Sequence, residues 1–151
     1  MVFIDSNAFV VLVIGLMNPN WLKDNPKTSI YNEQDFNNLM HIIGTNKILT
    51  TPNILTEVDN LLNKFSGHKK YPYIKTMMDI VKNTTEKYIS SVDVVSNYHF
   101  QNLGLTDSII LHLRNEYKFL ITADSDLSDH AFSLGIPVLD LVAYRNSRFQ
   151  E

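Results

Sequence analysis

The chain has 151 residues, no cysteine and a formal net charge of −3 at pH 7, and 44% of its residues are hydrophobic. This length and composition predict one soluble globular domain over residues 1–151 and argue against a disordered or fibrous chain. Without cysteine the chain has no disulfides, thiolate zinc sites or cysteine nucleophiles, and the cytoplasm is the expected compartment.

The hydrophobic pattern predicts strands that alternate with helices. Strands separated by helices pair in parallel through right-handed crossovers, so we expect an α/β fold, a three-layer α/β/α sandwich. The predicted elements in chain order are a strand at Val2–Ile4, a helix at Asn7–Met17, a loop at Asn18–Tyr31, a helix at Asn32–Ile43, a strand at Lys47–Thr50, a helix that begins at Pro52 and ends before Gly67, a helix at Tyr71–Ser90, a short strand at Val92–Val95, a helix at Asp107–Tyr117, a strand at Phe119–Thr122, a helix at Leu127–Leu134 and a last strand at Ile136–Leu139. The apolar stretch inside the first helix is too short to span a bilayer, and no membrane role is expected.

Two local signals refine these helices. Polar residues that precede a helix supply N-caps, and the apolar residues at helical spacing face the core. The predicted caps are Ser6 or Asn7 for the first helix, Thr51 for the helix from Pro52, Thr106 for the helix from Asp107, and Asp129 or Ser128 for the helix that follows the acidic run of LITADSDLSD. The predicted inward faces include Phe36, Leu39, Met40 and Ile43, then Ile54, Val58, Leu61, Leu62 and Phe65, then Ile74, Met77, Met78, Val81 and Ile89, and finally Ile109, Ile110 and Leu113.

Acidic residues occur where an open parallel sheet binds its ligands. Asp5 lies at the carboxyl end of the first predicted strand, Asp124 at the carboxyl end of the penultimate one, and Asp126 one step further. The crevice beyond such strand ends is the usual ligand site, so these carboxylates converge if the two strands are neighbours. Asp107 in the first turn of one helix and Glu57 about one turn into another are placed to point into the same crevice.

Four motifs, FIDSN, TPNILTEVDNLL, LTDSIILHL and LITADSDL, follow one another from Met1 to about Leu141. Together they resemble the PIN-domain family of metal-dependent ribonucleases. The resemblance implies a parallel sheet of about five strands and an acidic pocket that binds Mg²⁺ or Mn²⁺ to cut RNA. Many single-domain relatives are toxins of bacterial toxin–antitoxin pairs, so the resemblance also implies an antitoxin protein as a partner.

The resemblance assigns roles to individual residues. It implies that Asp5, Glu57, Asp107 and Asp124 are the catalytic acids, and that metal is bound by Asp5, Asp107 and Asp124 with Asp126 as an accessory. Close carboxylates cannot all ionise without a counter-charge, so such a pocket raises their pKa values or takes up a divalent cation. Mg²⁺ prefers oxygen ligands, which suits this set. Ser6, Asn7, Thr106 and Thr122 are the neighbours that would orient carboxylates or a phosphate, with helix capping as the alternative role for the first three.

Three functions are compatible with these patterns. The first is a metal-dependent endoribonuclease, and the complete set of acids favours it. The second is a catalytically inactive PIN-like binding module, because the Asn18–Tyr31 loop is long and few residues separate the Val92–Val95 strand from Asp107. The third is another metal-assisted phosphoryl-transfer hydrolase, since DSD at 124–126 resembles the DxD motif of haloacid-dehalogenase-like phosphatases. That family carries its DxD after the first strand, whereas this one follows a late strand.

The remaining surface bears on partners. Removing the five proposed site acids from the net charge of −3 leaves +2, which is compatible with an RNA substrate. The stretch Lys64–Lys75 interleaves cations with aromatic residues, and we interpret it as a solvated connection rather than an RNA contact. Seven tyrosines, eight phenylalanines and one tryptophan are more aromatic surface than a domain of this size easily buries. We therefore expect a two-fold homodimer, as relatives also form.

Overall fold

The computed structural model describes residues 1–149 and shows an α/β fold with five parallel strands. The strands are β1 (Val2–Ile4), β2 (Ile48–Thr50), β3 (Thr85–Glu86), β4 (Leu120–Thr122) and β5 (Val138–Asp140). The helices are α1 (Ser6–Met17), α2 (Glu33–Ile43), α3 (Pro52–Leu62), α4 (Lys70–Asn83), α5 (Val92–Val95), α6 (Tyr98–Leu103), α7 (Leu105–His112), α8 (Ser125–Ser133) and α9 (Leu141–Ser147), with short 3₁₀ helices at Pro19–Asp24 and Gly67–Lys69.

The chain enters the sheet at its centre and then builds outward in both directions. The strand order is β3-β2-β1-β4-β5, so β1 pairs with both β2 and β4. The chain adds β2 and β3 on one side of β1 and then crosses over to add β4 and β5 on the other side. Because the crossovers are right-handed, this change of direction places the helices before β3 on one face of the sheet and the helices after β3 on the other face. Accordingly, α1 packs against α2, α3 and α4, whereas α7 packs against α5 and α6. The predicted α/β/α sandwich is thus confirmed.

The first strand and helix form the middle of the core. All of β1 is buried, and so are the seven consecutive α1 residues from Ala8 to Ile14. A helix that is apolar on all sides needs cover on all sides, and α1 obtains it from the sheet and from α2 to α4. Gly15 lets α2 approach closely, since a Cβ at this position would overlap the ring of Phe36. These contacts pack α1, which begins one residue after Asp5, tightly against its neighbours.

The region between α4 and α7 differs most from the prediction. Val92–Val95 is the helix α5 and not a strand, and the third strand is Thr85–Glu86, inside the range predicted as helix. Both residues of β3 are exposed, and they join the sheet through the backbone of Leu49 and Thr50. A two-residue exposed edge strand carries no apolar alternation that a sequence pattern could reveal.

The inward face predicted for α4 is partly wrong. Tyr73 and Ile80 are buried, whereas Ile74, Met78 and Val81 are exposed. Ile89 packs against the core but lies beyond the end of α4 at Asn83. The apolar side chains of α4 cover about half of its circumference, so periodicity alone could not tell which part of this apolar arc packs inward.

Several smaller differences concern element ends. The helix α3 ends at Leu62 rather than just before Gly67, and α7 covers Leu105–His112 rather than Asp107–Tyr117. The Asn18–Tyr31 loop contains a 3₁₀ helix whose Leu22 is buried and accepts, through its carbonyl, a 2.6 Å hydrogen bond from the Thr28 hydroxyl. The sequence did not predict α6 or α9. Across residues 1–149, no helix combines the length and the apolar character needed to cross a bilayer.

Candidate functional site

The candidate site lies where the strand order reverses, between β1 and β4. These strands pair in the register Phe3 to Leu120 and Ile4 to Ile121. Their carboxyl ends therefore open on the same crevice, which is the usual ligand position in an open parallel sheet. Asp5 directly follows β1, and Asp124 lies two residues beyond β4. The strands β1 and β4 are thus neighbours, as the predicted convergence of Asp5 and Asp124 requires.

Asp5 is held by hydrogen bonds to both of its carboxylate oxygens. Its Oδ1 accepts from the backbone N–H of Ser6 at 2.7 Å, and its Oδ2 accepts from the Thr122 hydroxyl at 2.9 Å. Asp5 is therefore the N-cap of α1, and the predicted caps Ser6 and Asn7 are wrong because the carboxylate one residue earlier reaches the free N–H group. The side chain is only 3% exposed.

The electrostatic surroundings of Asp5 favour its neutral form. Burial raises the pKa of Asp5 above its ordinary value, and the hydrogen bonds from Thr122 and Ser6 offset part of that rise. The charges of Asp124 and Glu57 raise the pKa further. The pKa of Asp5 is thus affected by two other acids that lie far from it in the sequence.

Asp124 is fixed at the start of α8. Its Oδ1 accepts from the backbone N–H groups of Asp126 at 2.8 Å and Leu127 at 3.2 Å, so Asp124 is the N-cap of α8. The predicted caps Ser128 and Asp129 are wrong, since α8 begins three residues earlier than Ser128. The backbone N–H of Asp124 donates to the Thr122 hydroxyl at 3.0 Å. The buried Thr122 hydroxyl therefore bonds to two of the predicted site acids.

Glu57 is positioned by a contact between α3 and α7. Its Oε1 accepts a 2.6 Å hydrogen bond from the hydroxyl of Thr106. The prediction that Thr106 caps its helix is wrong, because α7 already begins at Leu105 and its N-cap is Gly104, whose φ is 82°. Thr106 instead orients an acid that is 49 residues away in the sequence.

Asp107 lies in the first turn of α7 and faces the other three acids. Burial is the main cause that raises the pKa of Asp107 to about 7, and the charges of Asp5, Asp124 and Glu57 raise it in the same direction. All four predicted catalytic acids therefore interact electrostatically, although they come from four different motifs. In the absence of a counter-charge, the site stabilises the neutral form of Asp107.

The four acids line one cavity of about 350 Å³. The lining residues are Asp5, Ser6, Asn7, Glu57, Leu103, Leu105, Thr106, Asp107 and Asp124. Among the described residues, no lysine, arginine or histidine contributes to this lining. The predictions missed Leu103 and Leu105; the only sequence signal for them is Gly104, whose positive φ makes the turn between α6 and α7. The negative charge in the cavity is uncompensated.

The three acids of the motif LITADSDLSD have different positions. Asp124 lines the cavity, whereas Asp126 and Asp129 are exposed residues of α8. The backbone of Asp126 has a structural role, because its N–H bonds to Asp124 and its carbonyl oxygen lies 2.9 Å from Nδ1 of His130. The Asp126 carboxylate therefore lies outside the cavity lining, on the solvent side of the site.

The arrangement has no preassembled three-ligand metal site. Within residues 1–149, no three histidine, aspartate or glutamate side chains are grouped closely enough to hold a metal ion as they stand. No family model matches the chain, and no curated protein or solved structure matches it either.

Proposed function

We propose that the protein is a divalent-metal-dependent endoribonuclease of the PIN-domain type. The observation that carries this proposal is the convergence of Asp5, Glu57, Asp107 and Asp124 on one cavity whose lining contains no cationic side chain. Four acids that line one cavity and raise one another's pKa values are unfavourable there unless a positive charge joins them. A protein that only needed this cavity for stability would gain from replacing an acid with a neutral residue.

The donor set fits a hard divalent cation. Every polar side-chain group that lines the cavity is a carboxylate, a hydroxyl or an amide, and Mg²⁺ and Mn²⁺ prefer oxygen ligands. Asp5, Asp107 and Asp124 are the residues that would hold the ion, with Asp126 as an accessory from the solvent side. Mg²⁺ usually keeps several waters and uses one or two protein carboxylates, so a three-carboxylate cluster is not required before it binds.

The chain's own residues then divide the remaining work. When bound, the divalent cation supplies positive charge to the phosphoryl oxygens and favours deprotonation of the attacking water. Glu57, oriented by the Thr106 hydroxyl, would accept the proton of that water as its oxygen attacks phosphorus. The P–O bond to the leaving nucleotide then breaks, and the leaving oxygen takes a proton from solvent water. Thr122 fixes the position of Asp5 relative to the backbone of Asp124, because its hydroxyl bonds to both. Asn7, exposed at the cavity, contributes an amide for a substrate phosphate.

The biological setting that we propose follows from the resemblance to the PIN-domain family. The protein would act on cytoplasmic RNA as the toxin of a toxin–antitoxin pair, with an antitoxin as its partner. A homodimer is supported by the aromatic side chains outside α4 that remain largely exposed, namely Tyr88, Tyr98, Phe132 and Phe149. Such exposed aromatic residues are typical of surfaces that become buried in a complex.

Two alternatives are weaker. A catalytically inactive binding module is favoured by the lack of a preassembled three-ligand cluster among residues 1–149, yet it gives no reason to keep four repelling acids. A phosphatase related to the haloacid dehalogenases would need both acids of its DxD motif in the site. Here Asp124 lines the cavity, whereas Asp126 is exposed outside its lining.

An RNA cleavage assay with metal removal tests the proposal. We expect cleavage with Mg²⁺ or Mn²⁺, loss of cleavage in EDTA, and recovery when excess metal is returned. Asp5→Asn should abolish cleavage, whereas Asp79→Asn, which removes an exposed acid on α4, should not. Cleavage that survives in Asp5→Asn would contradict the assigned site. RNA binding without cleavage under all metal conditions would instead support the binding module.

A further inference from the structure

The helix α4 carries more apolar surface than the core covers. Successive helix residues are about 100° apart, so the apolar side chains of α4 span an arc of about 180°. These side chains are Tyr71, Tyr73, Ile74, Met77, Met78, Ile80 and Val81. One half of the arc is formed by the buried Tyr73 and Ile80 with the partly buried Met77. The other half faces solvent.

The exposed half has the spacing of a helix-pairing surface. It consists of Tyr71, Ile74, Met78 and Val81, which we call the α4 seam, and these residues are 74%, 43%, 51% and 41% exposed. Their separations of three, four and three residues match the a and d positions of a heptad, the pattern by which one helix packs along another. Three of the seam residues, Ile74, Met78 and Val81, line an apolar cavity of about 350 Å³, whose other lining residues are Tyr73, Met77 and Lys82 of α4 and Asp59 of α3. Single exposed apolar residues are ordinary, but an aligned row beside a cavity indicates a docking surface.

The charges around the α4 seam are mainly positive. Lys75 and Lys82 lie next to it on the solvent side, and Lys70 lies at its N-terminal end. Among residues 1–149, none of these three lysines is in an ion pair. Asp59 lines the cavity, but its carboxylate accepts a hydrogen bond from the Tyr73 hydroxyl. Asp79 lies on the polar side of α4, about 80° from Tyr71 and about 100° from Met78, at four residues from Lys75 and three from Lys82.

The charge of these lysines indicates which kind of partner the α4 seam would bind. Pairing α4 with α4 of a second copy would bring the lysine rows of the two helices together, and like charges at such flanking positions are unfavourable. We propose that the α4 seam binds an acidic amphipathic helix of another protein, with apolar residues at heptad spacing between flanking Glu or Asp side chains. Its apolar face would cover the seam and the neighbouring cavity while its carboxylates meet Lys75 and Lys82.

A pair of designed peptides tests this binding specificity. Each contains about three heptads with leucine at a and d; one has glutamate at e and g, and the other has lysine there. Like charges keep each peptide monomeric. We expect fluorescence anisotropy to show at least about 10-fold tighter binding of the acidic peptide, with affinity that falls as salt is added. The double variant Lys75→Glu, Lys82→Glu should reverse the preference. Equal binding of both peptides, or a preference for the basic one, would overturn the proposal.

Variants of the seam test its location. Met78→Asp should weaken acidic-peptide binding at least about 10-fold, as expected for an anchor residue, whereas Tyr88→Asp should not. Both side chains are exposed, so both variants are expected to fold, and circular dichroism checks this. If sedimentation showed that Met78→Asp loses a dimer that the wild type forms, a second copy of the chain would occupy the seam. If the protein bound anionic phospholipid vesicles but not the peptide, the seam would bind a membrane surface. Either result would overturn the proposal. Asp5→Asn should bind the peptide normally, which keeps this test independent of the nuclease activity.

Discussion

Thr122 donates a 2.9 Å hydrogen bond to Oδ2 of Asp5, across 117 residues of sequence. The same hydroxyl accepts the backbone N–H of Asp124 at 3.0 Å. Since Thr122 ends β4 and Asp5 follows β1, this single buried hydroxyl holds together the two acids on either side of the point where the strand order reverses. The candidate site therefore depends on a residue that carries no charge itself.

Removing that hydroxyl should damage both stability and cleavage. Thr122→Val keeps the shape of the side chain but leaves the buried Asp5 without one donor, which typically costs about 1–3 kcal/mol of the free energy of unfolding. We also expect a fall in RNA cleavage of about 10 to 100-fold, as for other residues that orient metal-binding carboxylates. Urea unfolding and the cleavage assay measure the two effects. Thr122→Ser retains a hydroxyl and is the matched control; a valine variant as active as the serine variant would refute this role.

Divalent metal should stabilise the folded protein. An ion that binds only the folded state adds about 2.7 kcal/mol at one hundred times its Kd, which corresponds to roughly 5 to 10 °C in Tm for a domain of this size. Thermal unfolding with increasing Mn²⁺ measures this. Asp107→Asn and Asp124→Asn should abolish the rise, and they should also raise the Tm of the metal-free protein because a repelling charge is lost. Asp79→Asn should behave like the wild type. A wild-type Tm that does not change as Mn²⁺ is added would count against the metal site.

The metal-free protein should lose stability as the pH rises towards neutrality. The pKa of Asp107 is about 7 in the folded state against 3.8 in the unfolded chain, so the folded state binds this proton more tightly. The contribution of this tighter proton binding to the free energy of unfolding is complete below about pH 4 and is lost as the pH rises through about 7. Because the side chain is partly exposed, we expect an effect on the order of 1 kcal/mol. Unfolding in EDTA between pH 5 and pH 8, compared with Asp107→Asn, measures it; parallel curves for the two proteins would contradict the prediction.

The three acids of LITADSDLSD should differ in importance. Asp124→Asn should remove both cleavage and stabilisation by metal, because Asp124 lines the cavity. Asp126→Asn should weaken cleavage by about 10 to 100-fold, as changes just outside a metal site typically do. Asp129→Asn should leave cleavage intact, since this residue is exposed within α8. If Asp129→Asn proved as damaging as Asp124→Asn, the assigned geometry of this segment would be incorrect.

The protein should also form a two-fold dimer. The largely exposed aromatic residues provide apolar surface for such an interface, and dimers are the commonest oligomers. Sedimentation equilibrium at micromolar concentration should give twice the mass of the chain. A monomeric mass would contradict this expectation. A dimer that persists in Met78→Asp would agree with an interface away from the α4 seam.

Much of the architecture was predictable because its signals are local. The apolar runs that become β1 and β4, and the capping of α3 by Thr51, can be recognised from neighbouring residues alone. The motif positions of Asp5, Glu57, Asp107 and Asp124 likewise indicated the four acids that the structure brings to one cavity. Their convergence could be expected once β1 and β4 were assumed to be neighbours, because parallel strands end at the same edge of a sheet.

Other features were decided only by the tertiary structure. The roles of Thr122 and Thr106 depend on which acid lies opposite each hydroxyl, and their partners are 117 and 49 residues away. The strand Thr85–Glu86 exists because its backbone bonds to β2, not because of its side chains. Both halves of the apolar surface of α4 are equally suited to burial, and the packing of its neighbours selected Tyr73 and Ile80. Sequence patterns report local preference, whereas these outcomes depend on contacts that form only when distant segments meet.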